Sequence, residues 1–93
     1  MRVDEFAIDE VNEEKFKRHG VTVQEVLQVL QAGEFRMFRN KGRRRENAEY
    51  VVIGTTLGGR FLTIPVDAMP IPGQWRPRTA WESSEAEQTR YNQ

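Results

Sequence analysis

The fold is decided by residues 50–66, which read YVVIGTTLGGRFLTIPV. Residues 50–56 are rich in β-branched side chains, which favour strands, and residues 61–66 return as a second strand. The segment 57–60, Leu-Gly-Gly-Arg, joins them, because its two glycines can supply the positive φ angles of a tight hairpin. Pro65 lacks a backbone N–H, so we expect it near the end of its strand or on an edge of the sheet.

Two shorter strands are predicted outside this hairpin. Residues 35–39 alternate loosely between apolar and basic side chains, and residues 74–79 form a fourth short strand that contains Pro77. The polar and basic segment 40–47 is typical of a loop between strands, and residues 69–73 form a Pro/Gly loop. We therefore expect a small four-stranded antiparallel sheet.

The first third of the chain predicts two helices. Asp9 can cap the first helix, and Gly20 can end it in a left-handed conformation. Residues 22–25, Thr-Val-Gln-Glu, form a capping box that opens the second helix, and Gly33 ends it. The predicted inner faces consist of Ile8, Val11 or Asn12, Phe16 and His19 in the first helix, and Val23, Val26, Leu27 and Leu30 in the second.

A final helix is predicted at the C-terminal end of the chain. Ser84-x-x-Glu87 is a second capping box, and the helix extends from it to about Tyr91. The element order is therefore ααββββα, which is typical of an α+β domain with its helices segregated from the sheet. Ninety-three residues suffice for one small core, so we expect a single domain over residues 1–93.

The charges of the chain balance overall but not locally. The chain has 14 basic and 14 acidic residues, and its formal net charge of zero argues against binding nucleic acid by bulk charge alone. However, residues 1–35 carry a net charge of −4, residues 36–60 carry +5 and residues 61–93 carry −1. The basic middle segment still allows an RNA-binding face on a neutral protein.

The composition excludes several kinds of site. The chain has no cysteine and one histidine, so neither a disulfide nor a cysteine-based zinc site can form, and we predict no metal and no cofactor. No glycine-rich phosphate-binding loop precedes a helix. The longest apolar run, residues 51–53, is too short for a secretion signal or a membrane span. We therefore predict a cytoplasmic protein that does not bind membranes.

Arginine is the side chain most suited to chemistry here, because guanidinium groups bind phosphate bidentately and remain charged. Arg76 and Arg78 are two residues apart on a predicted strand, so we expect them on the same face. For residues 43–45 the sequence equally allows a solvated basic loop with salt bridges to the acidic helices. The candidates for contact with an RNA backbone are Arg43, Arg44, Arg45, Arg60, Arg76 and Arg78.

Three motifs occur in an order that resembles a known family. Residues 17–22, KRHGVT, are similar to the element KHGVSF, and residues 50–62 are similar to R-[FY]-x-x-I-G-x-[ST]-x-x-G-R-x-L. Residues 76–91, RPRTAWESSEAEQTRY, are similar to a divergent form of the ending I-S-A-R-x-A-[ST]-x-x-E-x-x-x-Y. These motifs belong to the BrnT-type toxins, which are small ribonucleases of type II toxin–antitoxin systems. The resemblance covers about residues 9–91.

The resemblance implies a RelE-like fold and metal-independent endoribonuclease activity. In that chemistry the ribose 2′-OH attacks the adjacent phosphorus, a base removes its proton, cations stabilise the phosphorane, and an acid protonates the leaving 5′-oxygen. The resemblance also implies a cognate antitoxin, either acidic or with a DNA-binding ribbon–helix–helix domain, that covers the basic site.

Three residues of the candidate catalytic site follow from the resemblance by position. Arg60 matches the arginine of the G-R pair and Arg78 that of the S-A-R segment, which implies phosphate and transition-state stabilisation. His19 matches the family histidine, and imidazole side chains can act as general acid or base near neutral pH. Each also has a structural interpretation: a helix-end residue for His19, a hairpin rim for Arg60, and a salt bridge to Glu82 or Glu87 for Arg78.

The alternative hypothesis is a catalytically inactive RelE-like module that binds a protein partner or nucleic acid. It predicts binding that weakens with salt but yields no RNA fragments. Trp75 and Trp81, with Met69 and Ile71, are suited to an apolar patch for a partner or a homodimer, and equally to the core. Incubation with RNA in EDTA separates the two hypotheses.

Overall fold

A computed structural model describes residues 2–41 and 47–93, so the predicted RNA contacts Arg43, Arg44 and Arg45 lie outside the described residues. The architecture is α+β, as predicted. The elements in chain order are β1 (Glu5–Phe6), α1 (Glu10–Arg18), α2 (Val23–Ala32), β2 (Arg36–Arg39), β3 (Tyr50–Thr55), β4 (Phe61–Ala68), β5 (Gln74–Pro77), β6 (Trp81–Glu82) and α3 (Glu85–Tyr91).

The sheet is mixed and has six strands, so the prediction of four antiparallel strands is wrong. Its order is β1-β5-β4-β3-β2, and β6 also pairs with β4. β1 runs parallel to β5, whereas the other neighbours are antiparallel. β1 has only two residues, too few to show a period-two pattern in the sequence. The predicted strand at residues 74–79 corresponds to β5, which ends two residues earlier at Pro77, and β6 follows as a separate strand that was not predicted.

A β-bulge separates β5 from β6 along β4. Three residues, 78–80, lie between the paired positions Pro77 and Trp81, whereas only residues 64 and 65 lie between their partners on β4. One extra residue on one side of an antiparallel pair defines a bulge. The bulge breaks the alternation of faces along the chain, which is why a regular strand could not be extended through it from sequence.

Pro65 lies inside a central strand, contrary to the expectation of a strand end or sheet edge. Its carbonyl accepts the backbone N–H of Arg78 at 2.9 Å. Because the N and C=O of one strand residue point the same way, the missing N–H of Pro65 also lies on the bulge side. Because the regular pairing of strands is interrupted at the bulge, the missing N–H of Pro65 costs the sheet no hydrogen bond.

The two N-terminal helices pack on one face of the sheet, and α3 packs on the other. On the α3 face, the rings of Phe61 and Tyr91 meet edge-on at 5.2 Å between centroids, and the hydroxyls of Thr63 and Ser83 lie 2.7 Å apart. The main core fills the opposite side. It consists of Phe6, Phe16, Val21, Val26, Val29, Val52, Leu62, Ile64, Val66, Trp75 and Ala80.

The predicted helix caps are confirmed. Asp9, Thr22 and Ser84 each accept a hydrogen bond from the backbone N–H three residues later, and each forms a reciprocal capping box. Gly33 ends α2 in the left-handed conformation with φ of 73°. These signals are local, so the sequence alone was sufficient to place them.

The buried faces of the helices differ in part from those predicted. Val11 is 66% exposed, Leu27 is 42% exposed and His19 is also exposed, whereas Val29 is completely buried. Val26 and Val29 are the fully buried residues of α2, and the predicted Val23 and Leu30 are partly buried against the core, so of the predicted face only Leu27 is exposed. Within the described residues, no helix is both long and apolar enough to cross a membrane.

Candidate functional site

Arg60 connects its own hairpin with three other parts of the chain. Its Nη1 donates to the backbone carbonyl of Gly20 at 3.1 Å and to Oε2 of Glu25 at 2.9 Å. Its Nε donates to Oε1 of Glu82 at 3.1 Å. The hairpin, the turn between α1 and α2, the first turn of α2 and the strand β6 therefore meet at one guanidinium group.

The hairpin between β3 and β4 fixes the backbone of Arg60. The N–H of Thr56 donates to the carbonyl of Arg60 at 2.9 Å, and the N–H of Arg60 donates to Oγ1 of Thr56 at 3.1 Å. Gly59 has φ of 85°, the left-handed conformation that a three-residue hairpin loop requires before the returning strand. The side chain of Arg60 thus starts from a defined point and extends towards the helices.

The two carboxylates around Arg60 are unequal in exposure. The side chain of Glu25 is 25% exposed and that of Arg60 is 30% exposed, whereas the side chain of Glu82 is 67% exposed. The hydrogen bond from Arg60, followed by that from the backbone of Thr22, lowers the pKa of Glu25. The hydrogen bond to Glu25 in turn raises the pKa of Arg60, so the guanidinium stays charged.

His19 lies at the same end of the molecule as Arg60. It is the C-cap of α1, and the next residue, Gly20, supplies the carbonyl that Arg60 binds. The exposed imidazole of His19 meets the indole of Trp81 edge-on, with ring centroids 6.0 Å apart. Nε1 of Trp81 donates to Glu87 Oε1 at 3.2 Å. We refer to His19, Gly20, Glu25, Arg60, Trp81 and Glu82 as the Arg60 site.

Arg78, which was expected beside Arg60, contacts a different part of the sheet. Its Nε hydrogen-bonds to Oδ2 of Asp67, an acid that the sequence did not single out as a partner of Arg78. Asp67 lies five residues beyond Leu62, the partner of Glu82 on β4, which corresponds to about 16 Å of extended strand. The structure therefore separates Arg78 from the Arg60 site.

Arg76 binds to a third set of acceptors. Its Nη1 donates to Oδ2 of Asp9 at 3.0 Å and to Oδ1 of Asn12 at 3.1 Å, both at the start of α1. β5 ends at Pro77, so Arg76 and Arg78 do not share one regular strand face as expected. Of the candidate residues in the described part of the chain, His19 and Arg60 are connected through Gly20, whose carbonyl accepts a hydrogen bond from Arg60.

The sequence did not reveal the acidic and aromatic members of the Arg60 site. Glu25 is fully accounted for as the third residue of a capping box, so nothing in its local pattern indicates a tertiary ion pair. Trp81 and Glu82 follow the bulge, where the period of two that assigns faces is broken. Within residues 2–41 and 47–93, no group of three or more acidic or histidine residues is arranged to hold a metal ion.

The chain matches no protein-family model, and no curated protein is significantly similar to it.

Proposed function

We propose that the protein is a metal-independent endoribonuclease with a BrnT-type, RelE-like domain, acting in the cytoplasm as the toxin of a type II toxin–antitoxin pair. The observation that supports this proposal is the arrangement of Arg60 and His19. The guanidinium of Arg60 is bonded to the carbonyl of Gly20, and the residue before Gly20 is His19, whose imidazole is exposed. A fixed cation and a titratable group are the two components that transphosphorylation of RNA needs.

Each component has a defined step in the proposed reaction. The 2′-oxygen of a ribose forms a bond to the adjacent phosphorus, and the bond from phosphorus to the 5′-oxygen breaks. The products are a 2′,3′-cyclic phosphate and a 5′-hydroxyl. Arg60 stabilises the additional negative charge on the phosphorane, while His19 transfers one of the two protons and solvent exchanges the other.

The remaining arginines have other roles in the proposal. Arg78 and Arg76 bind carboxylates away from the Arg60 site and stabilise the fold around β4 and α1. The basic segment 36–60, including Arg43, Arg44 and Arg45, contributes positive charge that attracts RNA and suits an acidic antitoxin. Charge complementarity of this kind raises association rates more than it raises affinity.

Cleavage of RNA in EDTA tests the proposal. The wild-type protein should release fragments with 2′,3′-cyclic phosphate ends, and RNA methylated at every 2′-oxygen should stay intact. His19→Gln and Arg60→Gln should each lower the cleavage rate by roughly 10²-fold or more. The control Arg2→Gln, which removes an exposed arginine paired with Asp4, should retain the wild-type rate. Equal cleavage by all four proteins would show a contaminating nuclease and end the proposal.

One observation favours the alternative function, a catalytically inactive module. Arg60, Arg76 and Arg78 each bind a carboxylate, which is also how arginines stabilise a fold without any ligand. This alternative predicts salt-dependent RNA binding, or binding of a protein partner, with no fragments at any protein concentration. Growth arrest on expression, relieved by a co-expressed antitoxin, would in contrast support the toxin.

A further inference from the structure

We propose that the carboxylate of Glu82 occupies the position on Arg60 that a phosphate group of RNA takes during binding. A phosphodiester would displace Glu82 from Nε of Arg60, whereas Glu25 would keep its hydrogen bond to Nη1. The inference rests on the proposed function, because it names the contact through which the same site binds its substrate. It assigns opposite roles to two acidic residues that bind the same side chain.

The hydrogen bonds of Arg60 divide its guanidinium group into two parts. Nη1 donates to Gly20 and to Glu25, and these two bonds fix one end. Nε and Nη2 form the side edge with which arginine binds a carboxylate or phosphate bidentately. Glu82 accepts from Nε alone, and Nη2 donates to no acceptor within residues 2–41 and 47–93. Only one of the two donors of this edge therefore forms a hydrogen bond. A phosphate could accept hydrogen bonds from both Nε and Nη2.

The surroundings of the two acids determine which of them can be displaced. Oε1 of Glu25 accepts the backbone N–H of Thr22 at 3.0 Å, so the carboxylate is also part of the cap of α2. Glu82 lies at the end of the two-residue strand β6, and its side chain is 67% exposed. An exposed ion pair contributes only about 0–1 kcal/mol, whereas a bidentate arginine–phosphate contact is among the stronger hydrogen-bonded pairs. Exchange of Glu82 for phosphate is thus favourable.

Binding of an RNA that cannot be cleaved tests the inference. The probe is a fluorescent oligoribonucleotide methylated at every 2′-oxygen, and its Kd is measured by anisotropy at two salt concentrations. Glu82→Gln should bind about 3- to 10-fold more tightly than the wild type, because the phosphate no longer competes with a charged group. Glu25→Gln should bind no more tightly than the wild type, because it loosens the end of Arg60 that orients the side edge.

A matched control separates this contact from a general change of charge. Glu85 is exposed at the first position of α3, three residues after Glu82, so Glu85→Gln removes the same charge near the site without touching Arg60. Its Kd should change by less than about 2-fold, because exposed charges are screened by salt. In a protein that already carries Arg60→Gln, Glu82→Gln should change the Kd for RNA no more than Glu85→Gln does.

The outcomes distinguish this inference from the proposed function. Equal Kd values for Glu82→Gln and Glu85→Gln, or weaker binding by Glu82→Gln, would overturn the inference even if the wild-type protein cleaves RNA. Tighter binding by Glu82→Gln that requires Arg60 would support the phosphate position even if no cleavage is found. Thermal unfolding of each variant establishes that the binding measurements compare folded proteins.

Discussion

The side chains of Arg60 and Glu25 form an ion pair of 2.9 Å between residues 35 positions apart in the chain. This pair connects the β3–β4 hairpin with the first turn of α2, so it joins the sheet to one of the helices that cover it. Glu25 also caps α2, and the same carboxylate therefore contributes to local and to tertiary structure. Its ionisation should consequently be linked to the stability of the fold.

The pH dependence of unfolding should report this link. The pKa of Glu25 is lowered in the folded protein, so its contribution is complete above the pKa of the unfolded chain and is lost as the pH falls through the folded pKa. At pH 7, Glu25→Gln should lower the free energy of unfolding by about 0.5–1 kcal/mol. Because glutamine can retain the capping hydrogen bond but offers no second acceptor oxygen to Arg60, this difference measures the ion pair with its hydrogen bond.

Urea unfolding of both proteins from pH 7 to pH 3 measures the effect. The difference in free energy of unfolding between wild type and Glu25→Gln should narrow as the pH falls, because Glu25 becomes protonated in both the folded and the unfolded chain. Glu14→Gln, which removes an exposed charge from α1, provides the control and should leave the pH profile nearly unchanged. A difference that does not narrow as the pH falls would show that Glu25 acts through packing instead of charge.

Gly54 should not tolerate a side chain, because Val29 of α2 and Phe35 pack directly against its backbone. A Cβ at this position would lie 2.7 Å from Cβ of Phe35 and 2.9 Å from Cγ1 of Val29. Gly54→Ala should therefore destabilise the protein by about 1–3 kcal/mol through overpacking. In Gly58→Ala the nearest atom is Oγ1 of Thr56 at 3.8 Å, so this variant should unfold near the wild-type temperature.

The observed orientation of α2 predicts different effects at neighbouring positions. Val26 is completely buried, whereas Leu27 is 42% exposed. Val26→Ala should cost roughly 1–3 kcal/mol, and Leu27→Ala should stay within about 1 kcal/mol although it removes a larger side chain. Thermal unfolding should resolve the two, since 1 kcal/mol corresponds to about 4–8 °C in Tm for a domain of this size. A cost at Leu27 as large as that at Val26 would indicate the helix face expected from the sequence, which includes both residues.

Arg78 should matter for stability and not for RNA cleavage. Its partner Asp67 also accepts the backbone N–H of Glu49 at 3.0 Å, so Arg78 supports the point where the chain enters β3. Arg78→Gln should cost less than about 1 kcal/mol, since its side chain is partly exposed, and a cycle with Asp67→Asn should show the coupling. Cleavage per folded molecule should equal that of the wild type. A loss of cleavage comparable with that of Arg60→Gln would place Arg78 in the reaction.

Features that depend on neighbouring residues could be predicted from the sequence, whereas features that depend on residues far apart in the chain could not. The caps at Asp9, Thr22 and Ser84 depend on residues within one turn, and all three were predictable. The partners of Arg60 and Arg78 depend on how strands align, and a one-residue change of register alters which carboxylate lies within reach. The same acidic residues could therefore be identified as candidates, but not assigned to their arginines.

The bulge opposite Pro65 has a consequence for how related sequences should be compared. Deleting one of residues 78–80 would leave Trp81 opposite Thr63 but restore a continuous ladder, in which residue 65 must donate a hydrogen bond that proline lacks. A shortened chain should therefore regain its stability when Pro65 is replaced by valine. The length of the segment 78–80 and the identity of residue 65 are therefore structurally coupled, so when sequences are compared, gaps and substitutions at these two places should be aligned together.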